Sequence, residues 1–441
     1  MLTIEQAAEA LEAGRTTSRA LVEEALVQVA VEPLAFIDLQ AQAALASADA
    51  MDALRGAGRS PGRYAGIPVT IKDLFDQKGQ VTLAGSVARK GEEAAAANAP
   101  VVDRLLAAGL VILGRTNMSE FAFSGLGVNP HYGTPASAWD RKTRRLPGGS
   151  SSGAGVAAAE GMGFGGLGSD TGGSCRIPAA LNGIVGFKPT QKRVPLEGAL
   201  PLSFTLDSIG PLARSVSCCQ VLDGIIADTP TTPHEVPVRG LRLAVLRNYV
   251  EQGMEDAVAV AYQAALSRLA TAGAVLTDIR IPEIDAIPAI NAKGGFTASE
   301  SWTWHHDLLD RKGEFYDPII APRIRRGAAM TAEDYISLQA ARRNLIAAVA
   351  AKTAPFDAVL MPTVPLLPPP ITAVDDPDEF TRINLLMLRN PTVGNFLDRC
   401  SISVPCHRPG EAPVGLMLMG AHGADEALFA TAGAVEKALA G

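Results

Sequence analysis

The spacing of apolar and polar positions changes several times along the chain. Residues 3–57 are rich in alanine, leucine and glutamate at helical spacing, and Thr17 or Ser18 is placed to cap a helix through Leu21, Ala25 and Val29. Apolar residues then alternate through Gly66-Ile67-Pro68-Val69-Thr70-Ile71-Lys72, which predicts a strand ending on a lysine. A helix over 100–108 leads into the short apolar run Val111-Ile112-Leu113, read as a buried strand. The Ala/Gly-rich stretch 153–168 reads as a buried helix, over 154–162, with its turn. Further strands are predicted at Ile184–Phe187, Val238–Leu246, Ala274–Leu276, Asp357–Met361 and Val414–Met419, and further helices over 255–272 and 424–439. This alternation predicts an α/β fold in which helices cover both faces of a large mixed sheet. No repeat or low-complexity linker interrupts it, so residues 1–441 read as one domain. Helices occupy its start to about residue 60, a core follows over about 60–215, and 216–441 completes the sheet, with a helical cap over about 280–350.

Bulk properties narrow the function classes. A chain of 441 residues, 47% hydrophobic and 19% charged, buries a large core and has no signature of disorder. Its net charge of −7 argues against a general binder of nucleic acid or of anionic membranes. The first residues lack the basic and apolar regions of a signal peptide, and no run of 18 apolar residues predicts a membrane span. Five cysteines (Cys175, Cys218, Cys219, Cys400 and Cys406) include no C-x-x-C pair, so reduced thiols and a cytoplasmic location are expected.

The chemistry concentrates in two glycine-rich turns. Leu146-Pro147-Gly148-Gly149-Ser150-Ser151-Ser152-Gly153 and Gly168-Ser169-Asp170-Thr171-Gly172-Gly173-Ser174-Cys175-Arg176 each present a Gly-Gly-Ser. Glycines let backbone N–H groups crowd around one point while a hydroxyl projects from it, an arrangement that suits a nucleophile beside an oxyanion. A serine needs a proton acceptor, and a lysine serves as one only where burial favours its neutral form, at about 1.4 kcal/mol per pKa unit. Ile67, Val69 and Ile71 around Lys72 provide such surroundings, and a hydroxyl such as that of Ser150 both donates and accepts. Each element has a plainer reading in isolation. Lys72 alone reads as a surface lysine at a strand end, and Ser150-Ser151-Ser152 as a flexible loop or helix cap. The second turn lacks the Lys-Ser/Thr ending of a phosphate-binding loop and the G-x-S-x-G pattern of a nucleophile elbow.

Together these segments resemble the amidase signature family. The likeness is carried by the two turns, by Gly66–Asp73, and by Gly114-Arg115-Thr116-Asn117-Met118-Ser119-Glu120-Phe121. Gly186-Phe187-Lys188-Pro189-Thr190 and Leu206-Asp207-Ser208-Ile209-Gly210-Pro211 extend it. It is strong over about 60–215 and continues weakly to the end of the chain. The resemblance implies a hydrolase of linear amides with a Ser–cis-Ser–Lys triad and a seryl acyl-enzyme. Ser174 matches the nucleophile, Ser150 the bridging serine after a cis peptide bond at Gly149–Ser150, and Lys72 the base. Thr171, Gly172, Gly173 and Ser174 match the backbone oxyanion hole, and Ser151 the neighbour that hydrogen-bonds around the lysine. Cys175 stands where the family usually has an aliphatic residue, and packing is expected of it. The resemblance further implies a small-molecule amide as substrate and no cofactor. It leaves open a free-standing enzyme, alone or as a homodimer, or the A-type component of a glutamine-dependent tRNA amidotransferase in a hetero-oligomer. The segment 301–307 and the weak C-terminal likeness favour the free-standing enzyme.

Outside the triad, Asp170 and Arg176 are expected to form an ion pair that braces the second turn. His305-His306 come with no second histidine cluster or carboxylate spacing, so no metal is implied. An acyl pocket is expected from segments near 120–135, 296–330 and 380–396, which hold Phe121, Phe123, Phe296, Trp302, Trp304 and Phe315. Met118, Gly125, His131, Trp304 and His305 are the candidates for substrate contact. His131 and His305 also have plain packing roles open to them.

Overall fold

Eleven short strands collect the apolar runs of the chain into one sheet. They are β1 (Phe36–Leu39), β2 (Pro68–Lys72), β3 (Val111–Thr116), β4 (Gly165–Asp170), β5 (Val185–Lys188) and β6 (Ser208–Ala213), then β7 (Arg242–Leu246), β8 (Val275–Ile279), β9 (Ala358–Pro362), β10 (Ser401–Pro405) and β11 (Gly415–Met419). Their spatial order is β1-β3-β2-β4-β6-β5-β10-β11-β9-β7-β8. The sheet is mixed: β2 runs parallel to β3 and β4, and β7 to β8 and β9, while the other neighbours are antiparallel. Every residue of β2, β3, β4, β5, β6, β9 and β11 is buried, as expected of strands covered on both faces. The computed structural model describes residues 1–229 and 234–440.

Several sequence expectations need correction. Residues 3–57 are not helical throughout: helices Ile4–Glu12, Ser18–Val29 and Ala41–Gly56 are interrupted by β1, which pairs with β3. Thr17, not Ser18, caps the second helix, its side chain accepting from the Ala20 N–H at 3.0 Å. The segment expected as a helix with its turn is a helix only over Ser152–Glu160, and its glycine-rich remainder forms β4. Glycine is a poor strand former in isolation, but here the helix packs directly on the strand. A Cβ on Gly166 would stand 3.0 Å from Ala154 Cβ of that helix, and one on Gly168 2.7 Å from Ser151 Oγ just before it. The strand expected from Val238 begins at Arg242, and that expected at Ala274 runs over Val275–Ile279. β6 and β10, together with the helices Val216–Ala227 and Pro377–Phe396, carry no prediction from the apolar pattern.

The region 280–350 is helical, with Ile287–Ile290, Gly295–Lys312, Ile320–Arg325 and Ala332–Thr353. Among the described residues no helix is long and apolar enough to cross a membrane, and no group of His, Cys, Asp and Glu is arranged to hold a metal. All five cysteines are buried free thiols.

Candidate active site

Parallel pairing of β2 with β4 brings their carboxyl ends together, the usual location of a ligand site in such sheets. β2 ends on Lys72 and β4 on Ser169 and Asp170. The Lys72 side chain is fully buried, and its Nζ donates to Ser150 Oγ at 2.6 Å and to Ser169 Oγ at 2.9 Å. Neither partner is charged. Burial therefore brings the lysine down to about 7, although Cys175, Asp170 and Asp207 push the other way. The amine can thus lose its proton near neutral pH.

The peptide bond Gly149–Ser150 is cis, and Ser150 and Ser151 directly precede the helix Ser152–Glu160. Ser151 hydrogen-bonds beside the lysine and not to it. Its Oγ donates to the Ser169 carbonyl at 3.3 Å and its N–H to the Ser174 carbonyl at 3.3 Å, which ties the two turns together. The second hydroxyl at the lysine belongs to Ser169, which no sequence signal marked beyond its place in the second turn.

Ser174 follows β4 and precedes the helix Arg176–Asn182. It lines a cavity of about 640 Å³ together with Thr171 and Gly172. Its hydroxyl makes no hydrogen bond to a described residue, Ser150 included. Around the turn, the Gly173 N–H donates to Asp170 Oδ1 at 2.8 Å and the Cys175 N–H to Asp170 Oδ2 at 3.0 Å. The N–H groups of Thr171, Gly172 and Ser174 have no acceptor among the described residues. Of the four backbone groups expected at an oxyanion, Gly173 is thus already engaged, because the carboxylate that shapes the turn reaches it first.

Asp170 and Arg176, both fully buried, form a two-point pair at 2.9 and 3.1 Å. Asn395, from the helix Pro377–Phe396, accepts from Arg176 Nη2 at 2.6 Å and donates to Asp170 Oδ1 at 2.8 Å. Burial pushes the Asp170 carboxyl up, but Arg176 and Asn395 outweigh it and hold it far below the usual carboxylate range. Arg176 Nη1 also reaches the Pro391 carbonyl at 2.9 Å, so this one pair fastens a distant helix to the turn. Cys175 packs in the core with its Sγ toward the Gly210 carbonyl at 3.5 Å. Replacing Arg176 by methionine is expected to cost about 3–5 kcal/mol of stability, because it leaves a buried carboxylate unpaired. Urea denaturation of the variant measures the loss.

Asp207 supports the turn from the other side. It accepts from Thr171 Oγ1 at 2.5 Å and from the N–H groups of Leu202 and Ser203 at 2.9 and 3.0 Å. Burial nonetheless raises it to about 6. Glu300, from the helix Gly295–Lys312, accepts from Ser203 Oγ at 2.5 Å and from Tyr335 Oη at 2.6 Å, and so clamps the same 202–207 loop. Glu300, like Asn395, lies far in sequence from the loop it holds, and Asp207 reaches Thr171 from 36 positions away.

The expected acyl-pocket segments supply much of the cavity wall, including Phe123, Phe296 and Thr392, but the five individual candidates do not line it. Met118 is buried in the core. Gly125 is held by its backbone: its N–H donates to Asn384 Oδ1 and its carbonyl accepts from the Gly149 N–H, both at 2.8 Å. His131 Nε2 meets Glu120 Oε1 at 2.8 Å, away from the wall. His305 is buried with its Nδ1 2.9 Å from Tyr316 Oη, and the loss of solvent lowers its basicity to about 3. Trp304 lines a smaller adjoining cavity of about 290 Å³, which reaches Ser169 and Thr171. Phe121 belongs to the core and Phe315 is half exposed. Tyr249, Ile287, Pro288 and Asn291, which complete the wall, carried no signal in the sequence.

Comparison with known proteins places the chain in a family. The amidase family model matches residues 20–429. A 2-amino-5-chloromuconic acid deaminase of Comamonas testosteroni is 35% identical, over 89% of this chain and 86% of its own. The A-type component of a glutamyl-tRNA(Gln) amidotransferase from Chloroflexus aurantiacus is 34% identical, over 95% and 93%. A crystal structure of an amidase superposes with a TM-score of 0.90 at 33% identity, covering 99% of both chains. The chain therefore belongs to the amidase family, whose members act on amide C–N bonds.

Proposed function

We propose that the protein is a free-standing amidase that works through Ser174, Ser150 and Lys72. Ser174 Oγ attacks the amide carbonyl carbon and gives its proton to Ser150 Oγ, whose own proton passes to Lys72 Nζ. The oxyanion that forms is received by the N–H groups of Thr171, Gly172 and Ser174. Collapse of the tetrahedral intermediate breaks the C–N bond, and the returned proton lets ammonia or amine leave. Water then hydrolyses the ester on Ser174 by the same proton route in reverse order. The observation that carries this reading is a buried lysine held only by two hydroxyls, with Ser174 opening on a cavity beside it. Lysine as base suits the chemistry, since Lys72 Nζ bonds Ser150 Oγ, whereas His131 is engaged by Glu120 and His305 by Tyr316.

A second reading, the A-type component of a tRNA amidotransferase, is favoured by the 34% identity to such a protein over nearly the whole chain. The two differ in what they need. The purified chain alone, without ATP or a partner protein, is expected to release ammonia or amine from simple amides. Release that begins only after the remaining amidotransferase components are added supports the second reading instead.

A further inference from the structure

The protein as a whole is acidic, with a net charge of −7, yet the cavity beside Ser174 is basic. Arg323, Arg326, Arg382 and Arg389 all line it, and among the described residues no aspartate or glutamate does. Three of the four are already engaged. Arg382 pairs with Glu379 at 2.8 Å. Arg389 donates to the Val250 and Gln252 carbonyls and to Asn390 Oδ1. Arg326 donates to the Ala292 carbonyl at 3.2 Å. Arg323 makes no hydrogen bond or ion pair with a described residue. Its guanidinium lies 5.0 Å over the Phe123 ring, which holds it in place at the wall. Asp317, on the same side, does not pair with it and accepts instead from the Ile319 N–H at 2.8 Å.

A half-buried guanidinium on the cavity wall, with no protein acceptor among the described residues and a second cation nearby, is free to receive an anion. Burial and then Arg326 bring Arg323 down to about 10, although Asp317 pushes the other way, which leaves it charged at neutral pH. The remaining polar side chains of the wall, among them Gln252, Asn291, Thr297 and Thr392, are neutral. On this wall an ammonium group would meet guanidinium groups and no carboxylate, the acidic side chains Glu197 and Asp207 lining the smaller adjoining cavity instead.

We infer that the cavity takes an amide whose acyl part carries a free carboxylate and no ammonium group, with Arg323 receiving that carboxylate through its planar fork. This rests on the amidase reading and names its substrate class: monoamides of dicarboxylic acids, in preference to neutral amides and to amino acid amides such as glutamine. Positioning the distant carboxylate fixes the amide against Ser174.

The test compares succinamate, glutaramate and adipamate with their methyl esters, which remove only the charge, and glutaramate with glutamine, which adds only the ammonium group. The best acid is expected to exceed its own ester by about tenfold or more in kcat/KM, the size of one charge-assisted hydrogen bond. Glutaramate is expected to exceed glutamine. Arg323→Met is expected to lower kcat/KM for the acid about tenfold more than for the ester, chiefly through KM, and Arg323→Lys to recover part of the difference. Esters hydrolysed as well as acids, glutamine preferred to glutaramate, or an Arg323→Met effect equal on acid and ester overturns the inference. Calorimetric titration with glutarate and adipate separates it from the catalytic reading. If no amide is hydrolysed, binding of these dianions that is lost in Arg323→Met still supports the carboxylate site, and absence of binding overturns it.

Discussion

Ser174→Ala is expected to remove amide hydrolysis, by about four orders of magnitude or more, while leaving the fold intact. The two halves of this expectation have separate grounds. Without Oγ no acyl-enzyme forms, and the members of such a triad act as a unit, so the loss is close to that of the whole set. Stability is spared because the hydroxyl makes no hydrogen bond to a described residue. Its removal leaves no orphaned partner, and a change of about 1 kcal/mol at most is expected. The measurements are ammonia release under single-turnover conditions and a thermal melt. A sulfonyl fluoride should add its mass to the wild-type chain and not to the variant. Retention of more than a few per cent of activity would remove Ser174 from the role of nucleophile.

Lys72→Ala is expected to be nearly as damaging, and Lys72→Arg not to restore activity. Arginine keeps its charge at any working pH and has no lone pair to offer Ser150. The pH dependence follows from the same group. The working form is the neutral amine, present only above the lysine's own pKa, which burial brings to about 7. kcat/KM should therefore be low in acid, rise as pH increases through about 7, and then level off. The direction is opposite to that of an enzyme relying on a protonated lysine, whose rate would fall over the same interval. An active Lys72→Arg protein with an unchanged profile would show that the proton goes elsewhere. Such a result would also be hard to reconcile with the two hydroxyls held by Nζ at 2.6 and 2.9 Å.

Much of this protein was legible in one dimension, for reasons that differ from element to element. The strand ending on Lys72, the two Gly-Gly-Ser turns and the Asp170–Arg176 pair are local: their spacing alone limits where those side chains can go. The buried central strands were legible where they are rich in branched residues, as at Val111–Leu113 and Val414–Met419. β4 was not, because its glycines reflect a helix pressed against the strand and not a preference of the backbone. Ser169 was not singled out as the second hydroxyl at the lysine, since a motif reports which residues are near one another and not which hydroxyl faces the amine.

The family, the mixed α/β architecture and the local pieces of the two glycine-rich turns follow from short-range pattern along the chain. How those pieces are held and what they face follows from packing in three dimensions. Asn395 reaches the Asp170–Arg176 pair from more than 200 positions away, and Arg323 meets Phe123 across a similar distance. The wall beside Ser174 is assembled from helices that contribute one or two side chains each, and periodicity reports only that such helices exist. The physical reason is that a wall of this kind is a meeting of faces. Which face turns inward depends on what the neighbouring elements bury, and the sign of the cavity's charge emerges only when arginines separated in sequence are brought to one surface.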